Sequence, residues 1–260
     1  MKIRVASSAG FCPGVRHAVD LALKTLEGSD PEERTRLWML GPLVHNERVI
    51  DNLTKRGLKL AHDVGDIPNS ARVIIRAHGI SPSVEAELKR KECELIDGTC
   101  GFVKKLQHTV GDSARSGKGI IIAGRANHPE VIGVIGYANP EIPVVIETPE
   151  QADKATFEDR EWILVAQTTF YSDHWRLMCK KLENKIAKLQ IFDTICNTTV
   201  KRQSDAKALA ASSDIMFVLG SRTSSNTARL AEVCEEQCAF THVISRPDQV
   251  DQFIGGESSG

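Results

Sequence analysis

The sequence Gly10-Phe11-Cys12-Pro13-Gly14-Val15 is the first of three similar openings in this chain of 260 residues. The second surrounds Cys100, in Thr99-Cys100-Gly101-Phe102-Val103, and the third surrounds Cys196, in Ile195-Cys196-Asn197-Thr198-Thr199-Val200. The three cysteines recur at nearly equal intervals, which is the pattern of an internally repeated protein.

The segments that follow the three cysteines also resemble one another. Each cysteine precedes apolar residues spaced three and four apart, which predicts a helix, and then a short β-rich run ending in glycine, which predicts a buried strand. A polar loop and a second apolar helix follow. The predicted strands are 37–41, 119–124 and 215–220, and the polar loops are 44–46, 127–130 and 224–226.

The first two repeats continue into a further strand with a polar end, at 72–79 and at 161–169. A third such strand is expected after 241–244, where the chain instead has Gly255-Gly256-Glu257-Ser258-Ser259-Gly260. We therefore predict three similar α/β domains around a pseudo-threefold axis. Their predicted bounds are 13–98, 99–193, and 194–260 together with 1–12, the last domain being short at its C-terminal end.

Two further elements are predicted from local pattern. Residues 1–6 are expected to form a short strand, and the apolar residues from Asp173 to Leu189 are expected to form one helix that leads into the third repeat.

Composition excludes several classes of function. The formal net charge of −1 gives no reason to expect binding to nucleic acid, which requires a basic surface. The longest apolar runs are about six residues, well short of the roughly 20 that span a bilayer. The N-terminus lacks the apolar region of a signal peptide, so a cytoplasmic protein is expected.

Seven cysteines are an odd number, and disulfides are not expected in a cytoplasmic protein. Cys93, Cys179, Cys234 and Cys238 fit the pattern of buried thiols. Cys12, Cys100 and Cys196 occupy the same position in each repeat. If the three repeats pack around a pseudo-threefold axis, these cysteines meet at that axis. Three thiolates suit a zinc ion with an open position, or a [4Fe-4S] cluster in which one iron lacks a protein ligand. Three structural thiols that share a position by descent are the alternative.

Polar side chains lie at the predicted carboxyl ends of the strands, where α/β proteins bind ligands. Together with nearby helix N-termini, they could bind a dianionic or diphosphate group. Glu130 is the only carboxylate among them and is the candidate proton donor. The polar residues are His45, His78, His128, Thr168, Thr169, Ser224, Ser225 and Asn226.

Eight motifs in this order resemble those of the 4-hydroxy-3-methylbut-2-enyl diphosphate reductase family, also called the LytB family. The resemblance extends from about residue 3 to residue 250. The motifs are 10–15, Val44-His45-Asn46, Ala77-His78-Gly79, 97–100, 127–131, Gln167-Thr168-Thr169, 195–199 and 220–226.

The resemblance implies three α/β domains around a [4Fe-4S] cluster held by Cys12, Cys100 and Cys196. It implies that the diphosphate is bound by His45, His78, His128, Thr168, Ser224, Ser225 and Asn226, and that Glu130 delivers protons. It also implies that the reaction yields isopentenyl and dimethylallyl diphosphates, with electrons from ferredoxin or flavodoxin.

The chain departs from the family pattern in two places. Gly101 stands where the family usually has proline, and residues 255–260 stand where the family has a strand with a serine motif. Two alternatives follow: a catalytically impaired relative that keeps the cluster and senses redox state or diphosphates, and a zinc-dependent hydrolase that uses the same three cysteines.

Overall fold

The computed structural model describes residues 2–254, and it is an α/β structure with three parallel β-sheets. The chain forms two compact units. The larger unit contains Phe11–Val44 and Arg48–Cys196, and the smaller unit contains the residues up to Gly10, His45–Glu47 and the residues from Asn197 on. Among residues 2–254, no helix combines the length and the apolar character that crossing a bilayer requires.

The larger unit alternates helices and strands, as parallel sheets require. Its helices are α1 (Pro13–Gly28), α2 (Pro31–Arg34), α3 (Glu47–Lys55, whose first residue belongs to the smaller unit), α4 (Pro82–Arg90), α5 (Gly101–Arg115), α6 (Pro129–Ile135), α7 (Pro149–Lys154) and α8 (Ser172–Glu183). Its strands are β1 (Leu37–Leu40), β2 (Lys59–Ala61), β3 (Arg72–Ile75), β4 (Glu94–Asp97), β5 (Gly119–Ala123), β6 (Val144–Ile146), β7 (Trp162–Ala166) and β8 (Leu189–Ile191).

Two four-stranded sheets with the same topology form the centre of the larger unit. Their strand orders are β2-β1-β3-β4 and β6-β5-β7-β8, and all neighbouring strands are parallel. In each sheet the strand that follows the cysteine helix is flanked on both sides. The carboxyl ends of β1 and β3 therefore lie side by side, as do those of β5 and β7.

The second sheet is buried on both faces. Ile121 and Leu164 pack in one apolar cluster, whereas Ile120 and Ile163 pack in another. Because successive side chains of a strand point to opposite faces, this division places a helical layer on each side of the sheet. The continuous apolar runs in the sequence reflect this double burial.

Helix starts follow from local sequence. Cys12 caps α1 and is followed by Pro13 at the first helical position, where the missing N–H costs nothing. Asp30 and Glu33 form a reciprocal capping box at the start of α2.

The smaller unit contains α9 (Asn197–Ala210), β9 (Met216–Leu219), α10 (Ser225–Glu235), β10 (Thr241–Ile244) and α11 (Asp251–Ile254). Strands β9 and β10 form a parallel two-stranded sheet. Met216 and Val218 pack against residues of α9 and α10, among them Ala206 and Ala231. The predicted element order of the third repeat is therefore observed as far as β10. The predicted absence of a strand at 255–260 lies outside the described residues.

Two local predictions were wrong. Lys2–Ala6 form no strand, because a strand exists only through pairing and these described residues pair with none of the three sheets. The side chain of Arg4 instead donates to the backbone oxygen of Ser212 and to Ser213 Oγ.

The predicted helix 173–189 ends at Glu183, and Leu189 lies in β8. After Glu183, Ile186 is buried within the connecting turns and Leu189 begins the edge strand of the second sheet. A short apolar run did not distinguish a continuing helix from a strand.

Met178 and Leu177 are adjacent on α8, and substitutions at these two positions test which face of the helix is buried. Met178 is fully buried and Leu177 is 46% exposed. We expect Met178→Ala to lower the free energy of unfolding by about 2–5 kcal/mol, because it leaves a cavity beneath the second sheet. Leu177→Ala should change it by no more than about 0.5 kcal/mol. Urea denaturation measures both, and equal losses would contradict the assigned face of α8.

Candidate functional site

Each repeat cysteine lies directly before a helix. Cys12 is the N-cap of α1, and its Sγ accepts the N–H of Val15 at 3.4 Å. Cys100 is the N-cap of α5, and Cys196 precedes Asn197, the first residue of α9. The N-terminus of a helix favours negative charge, so all three positions suit a bound group that carries negative charge.

Two of the cysteines are fixed by equivalent backbone hydrogen bonds. The N–H of Cys100 donates to the oxygen of Ala77, and the N–H of Cys196 donates to the oxygen of Thr168, both at 3.0 Å. Ala77 follows the end of β3 by two residues, and Thr168 follows the end of β7 by two residues. The repeat therefore extends from the order of elements to single hydrogen bonds.

The three thiols lie close together in the larger unit. Burial raises the pKa of Cys100, and negative charge on Cys12 and Cys196 raises this pKa further. A Cβ added at Gly14 would lie 2.6 Å from Cys100 Sγ. Because any side chain there would collide with this sulfur, the first turn of α1 needs glycine at this position. The sequence motif contained Gly14, but no role could be assigned to it without this contact.

All seven cysteines are free thiols, and they fall into a half-buried group and a buried group. Cys12, Cys100 and Cys196 are half-buried, as is Cys179, whereas Cys93, Cys234 and Cys238 are buried. Burial raises the pKa of Cys179 to about 12 and that of Cys234 to about 11, so these two thiols are inert near neutral pH.

Three neighbouring, partly accessible thiols fit an iron–sulfur cluster. As thiolates they would repel one another without bound metal, and cysteine thiolates are the ordinary protein ligands of such clusters. The adjacent helix N-termini would stabilise the negative charge of the thiolates and sulfides.

A buried carboxyl group is connected to the third cysteine through Thr168. Glu130 is 1% exposed and lies in the first turn of α6. Thr168 donates its N–H to Glu130 Oε1 at 2.6 Å and its hydroxyl to Glu130 Oε2 at 2.7 Å. Burial raises the pKa of Glu130, and the two hydrogen bonds from Thr168 oppose that rise. A carboxyl group with a raised pKa keeps its proton toward neutral pH.

His128 and His78 lie next to this pair. The Nδ1 of His128 accepts the N–H of Glu130 at 3.1 Å, so a neutral His128 has its proton on Nε2. The rings of His78 and His128 meet edge to face, with centroids 5.2 Å apart. The structure thus brings together four of the predicted site residues: His78, His128, Glu130 and Thr168.

Gln167 and Thr169 flank Thr168. The buried side chain of Gln167 accepts the N–H of Arg125 at 3.1 Å and donates to the hydroxyl of Thr169 at 3.0 Å. The first bond joins the loop after β5 to the loop after β7, and the second lies within the loop after β7. Gln167 belongs to the Gln167-Thr168-Thr169 motif, but nothing in the sequence indicates this positioning role.

The other predicted residues belong to the smaller unit. Ser224 is the N-cap of α10, and its hydroxyl accepts the N–H of Thr227 at 3.3 Å. Ser225 and Asn226 form the first turn of α10, where free N–H groups favour an anion. His45 follows the loop after β1.

A protein-family model described as "LytB protein" matches residues 3–258. The 4-hydroxy-3-methylbut-2-enyl diphosphate reductase of Caldanaerobacter subterraneus subsp. tengcongensis is 38% identical over 252 residues, which cover 96% of this chain and 86% of that protein. The protein of the same name from Clostridioides difficile is 37% identical, over 96% of this chain and 88% of that protein.

Two solved structures are also similar. The E-1-hydroxy-2-methyl-but-2-enyl-4-diphosphate reductase from Plasmodium falciparum matches with a TM-score of 0.85 and 29% identity, over 94% of this chain and 77% of that one. The second is described as (E)-4-hydroxy-3-methyl-but-2-enyl diphosphate reductase, the terminal enzyme of the non-mevalonate pathway. It matches with a TM-score of 0.70 and 33% identity, over 98% of this chain and 89% of that one. On the extent of these matches, the chain belongs to the LytB family.

Proposed function

We propose that the chain is an iron–sulfur oxidoreductase that converts (E)-4-hydroxy-3-methylbut-2-enyl diphosphate into isopentenyl and dimethylallyl diphosphates. Two electrons and two protons are consumed, the C–O bond of the allylic alcohol breaks, and water leaves. Support comes from the curated relatives and from the solved structure described as the terminal enzyme of the non-mevalonate pathway.

One observation favours this chemistry above the others. Thr168 donates two hydrogen bonds to the buried carboxyl group of Glu130, and its own carbonyl oxygen accepts the N–H of Cys196. A single residue therefore joins the proton-holding group to a candidate metal ligand. Fixed positions for the acid and the candidate ligand favour a reaction that consumes protons and electrons together.

We propose that Cys12, Cys100 and Cys196 hold the cluster. Family membership implies an iron–sulfur cluster, and three thiolates favour a [4Fe-4S] cluster in which one iron lacks a protein ligand. When bound, such a cluster supplies electrons singly and provides a Lewis-acidic iron for the substrate oxygen.

The protein's own groups bind the diphosphate and handle the protons. We propose that Glu130 holds a proton for the leaving hydroxyl, and that Thr168 fixes the orientation of its carboxyl group. His128 offers a donor at Nε2 because its Nδ1 already accepts a hydrogen bond. His45, His78, Thr168, Ser224, Ser225 and Asn226 are proposed as the other diphosphate-binding residues.

Ferredoxin or flavodoxin is proposed as the electron donor, and a cytoplasmic location remains a prediction from the sequence. The division into repeats at 13–98, 99–193, and 194–260 with 1–12 is also a proposal. The matching hydrogen bonds of Cys100 and Cys196 support it. Nothing among residues 2–254 favours the impaired relative, and the family assignment favours iron–sulfur chemistry over zinc hydrolysis.

Anaerobic turnover tests the proposed function. The chain is purified without oxygen, its iron and sulfide are quantified, and it is supplied with the hydroxymethylbutenyl diphosphate and a chemical reductant. We expect both five-carbon diphosphates as products. A chain with a complete cluster and no turnover would contradict the proposed reaction.

Gly14→Ala tests the packing of the cysteines. Because the new methyl group would lie 2.6 Å from Cys100 Sγ, we expect a large loss of bound iron. Gly101→Ala is the matched control, since a Cβ there meets no atom within 4 Å. Iron content and visible absorbance measure both variants. Retention of full iron content in Gly14→Ala would argue against this ligand set.

Glu130→Gln tests the proton donor. Glutamine keeps the shape of the side chain but has no acidic proton, so turnover should fall by about 100-fold or more while iron content stays near wild type. Glu235→Gln, an exposed change at the end of α10, is the control. Unimpaired turnover in Glu130→Gln would remove Glu130 from the mechanism.

Thr168→Val tests how the pKa of Glu130 is set. The variant loses the hydroxyl that stabilises the ionised carboxylate and keeps the backbone N–H. The pKa of Glu130 should therefore rise further, and the proton-donating form should persist to higher pH. We expect the alkaline decline of kcat to move to higher pH. Thr54→Val, an exposed change on α3, should leave the profile in place, and a shift of Thr168→Val to lower pH would contradict the assignment.

A further inference from the structure

Arg76 lies at the carboxyl edge of the first sheet, where polar side chains follow the ends of the strands. The function proposed above gives Arg76 no role. It follows Ile75, the last residue of β3, and Gly41 follows Leu40, the last residue of β1. In the register of these strands Met39 pairs with Ile74, so Gly41 and Arg76 lie side by side beyond the paired residues.

The guanidinium group lies over Gly41. A Cβ added at Gly41 would be 2.5 Å from Arg76 Nη1 and 3.3 Å from its Cζ. Gly41 also has a φ of +69°, which L side chains rarely adopt. The turn after β1 therefore both requires glycine and leaves the space that the arginine fills.

The charge of Arg76 is not neutralised within residues 2–254. Its Nε is buried and has no hydrogen-bond partner among these residues, and none of their carboxylates forms an ion pair with it. Burial lowers the pKa of Arg76, and no neighbouring charge contributes to the shift. Arginine nevertheless stays protonated in proteins.

Partial burial of a cation without a counter-charge costs free energy, and a bound anion would offset that cost. The planar guanidinium group binds phosphoryl oxygens well, because it presents several donors in a fixed geometry. The carboxyl edge of a parallel sheet is also where such ligands bind.

We propose that Arg76, whose guanidinium group lies over Gly41, is an oxyanion-binding residue that takes a phosphoryl oxygen at the carboxyl edge of the first sheet. The anion has two possible sources, which are the diphosphate of the substrate and a separate phosphate. The first source rests on the proposed function, and the second does not.

Calorimetry on the anaerobic holoprotein tests the proposal with inorganic diphosphate and inorganic phosphate as probes. The variants are Arg76→Gln, Arg76→Lys and Gly41→Ala. The control is Arg90→Gln, an exposed change at the end of α4 with the same loss of charge. Iron content and thermal unfolding are recorded for each variant.

We expect Arg76→Gln to weaken binding of at least one probe by about 10-fold or more. Arg76→Lys should be intermediate because it keeps the charge and loses the planar donors. Gly41→Ala should resemble Arg76→Gln, and Arg90→Gln should match wild type. Failure of the wild-type chain to bind either probe would overturn the proposal, as would Arg76→Gln affinities within about twofold of wild type for both.

The Michaelis constant for the hydroxymethylbutenyl diphosphate identifies the source of the anion. If the constant rises in Arg76→Gln along with the Kd of diphosphate, the substrate supplies the phosphoryl oxygen. If the constant is unchanged while phosphate binds more weakly, the ligand is a separate phosphate. A chain that binds diphosphate through Arg76 but never turns over would refute the proposed reaction and leave this site intact.

Discussion

The convergence of three cysteines at the starts of helices is the constraint on which the rest of the site depends. Cys12, Cys100 and Cys196 come from widely separated parts of the sequence. Burial raises the pKa of Cys100, and negative charge on the other two cysteines raises it further. The positions of the three cysteines before helices, and the absence of a side chain at Gly14, are understandable if these cysteines bind iron.

The repeated sheets explain how such a centre is built and connected to proton chemistry. In each four-stranded sheet, the residue two positions after the end of one strand (β3 in the first sheet, β7 in the second) accepts the N–H of a cysteine through its backbone oxygen. In the second sheet that residue is Thr168, which also orients the carboxyl group of Glu130. Because one loop anchors both the proposed metal ligand and the proposed acid, a shift of either would move the other.

Much of the fold was accessible from the sequence, because buried parallel strands appear as apolar runs that end in glycine and the helices show clear apolar spacing. The three cysteines and the polar residues at strand ends were accessible from their repeated positions. Short edge strands such as Leu189–Ile191 were not, since three residues carry too little pattern to separate strand from helix. The hydrogen bonds of Thr168 and the packing of Arg76 on Gly41 depend on tertiary contacts that no local pattern reveals.

We propose that three cysteines hold a four-iron cluster in which one iron remains for the substrate. Mössbauer spectroscopy of the anaerobic chain loaded with iron-57 measures the iron sites separately. We expect one iron site to differ from the others and to change its signal when the hydroxymethylbutenyl diphosphate is added. A spectrum without a distinct iron site, or one that the diphosphate leaves unchanged, would contradict this proposal.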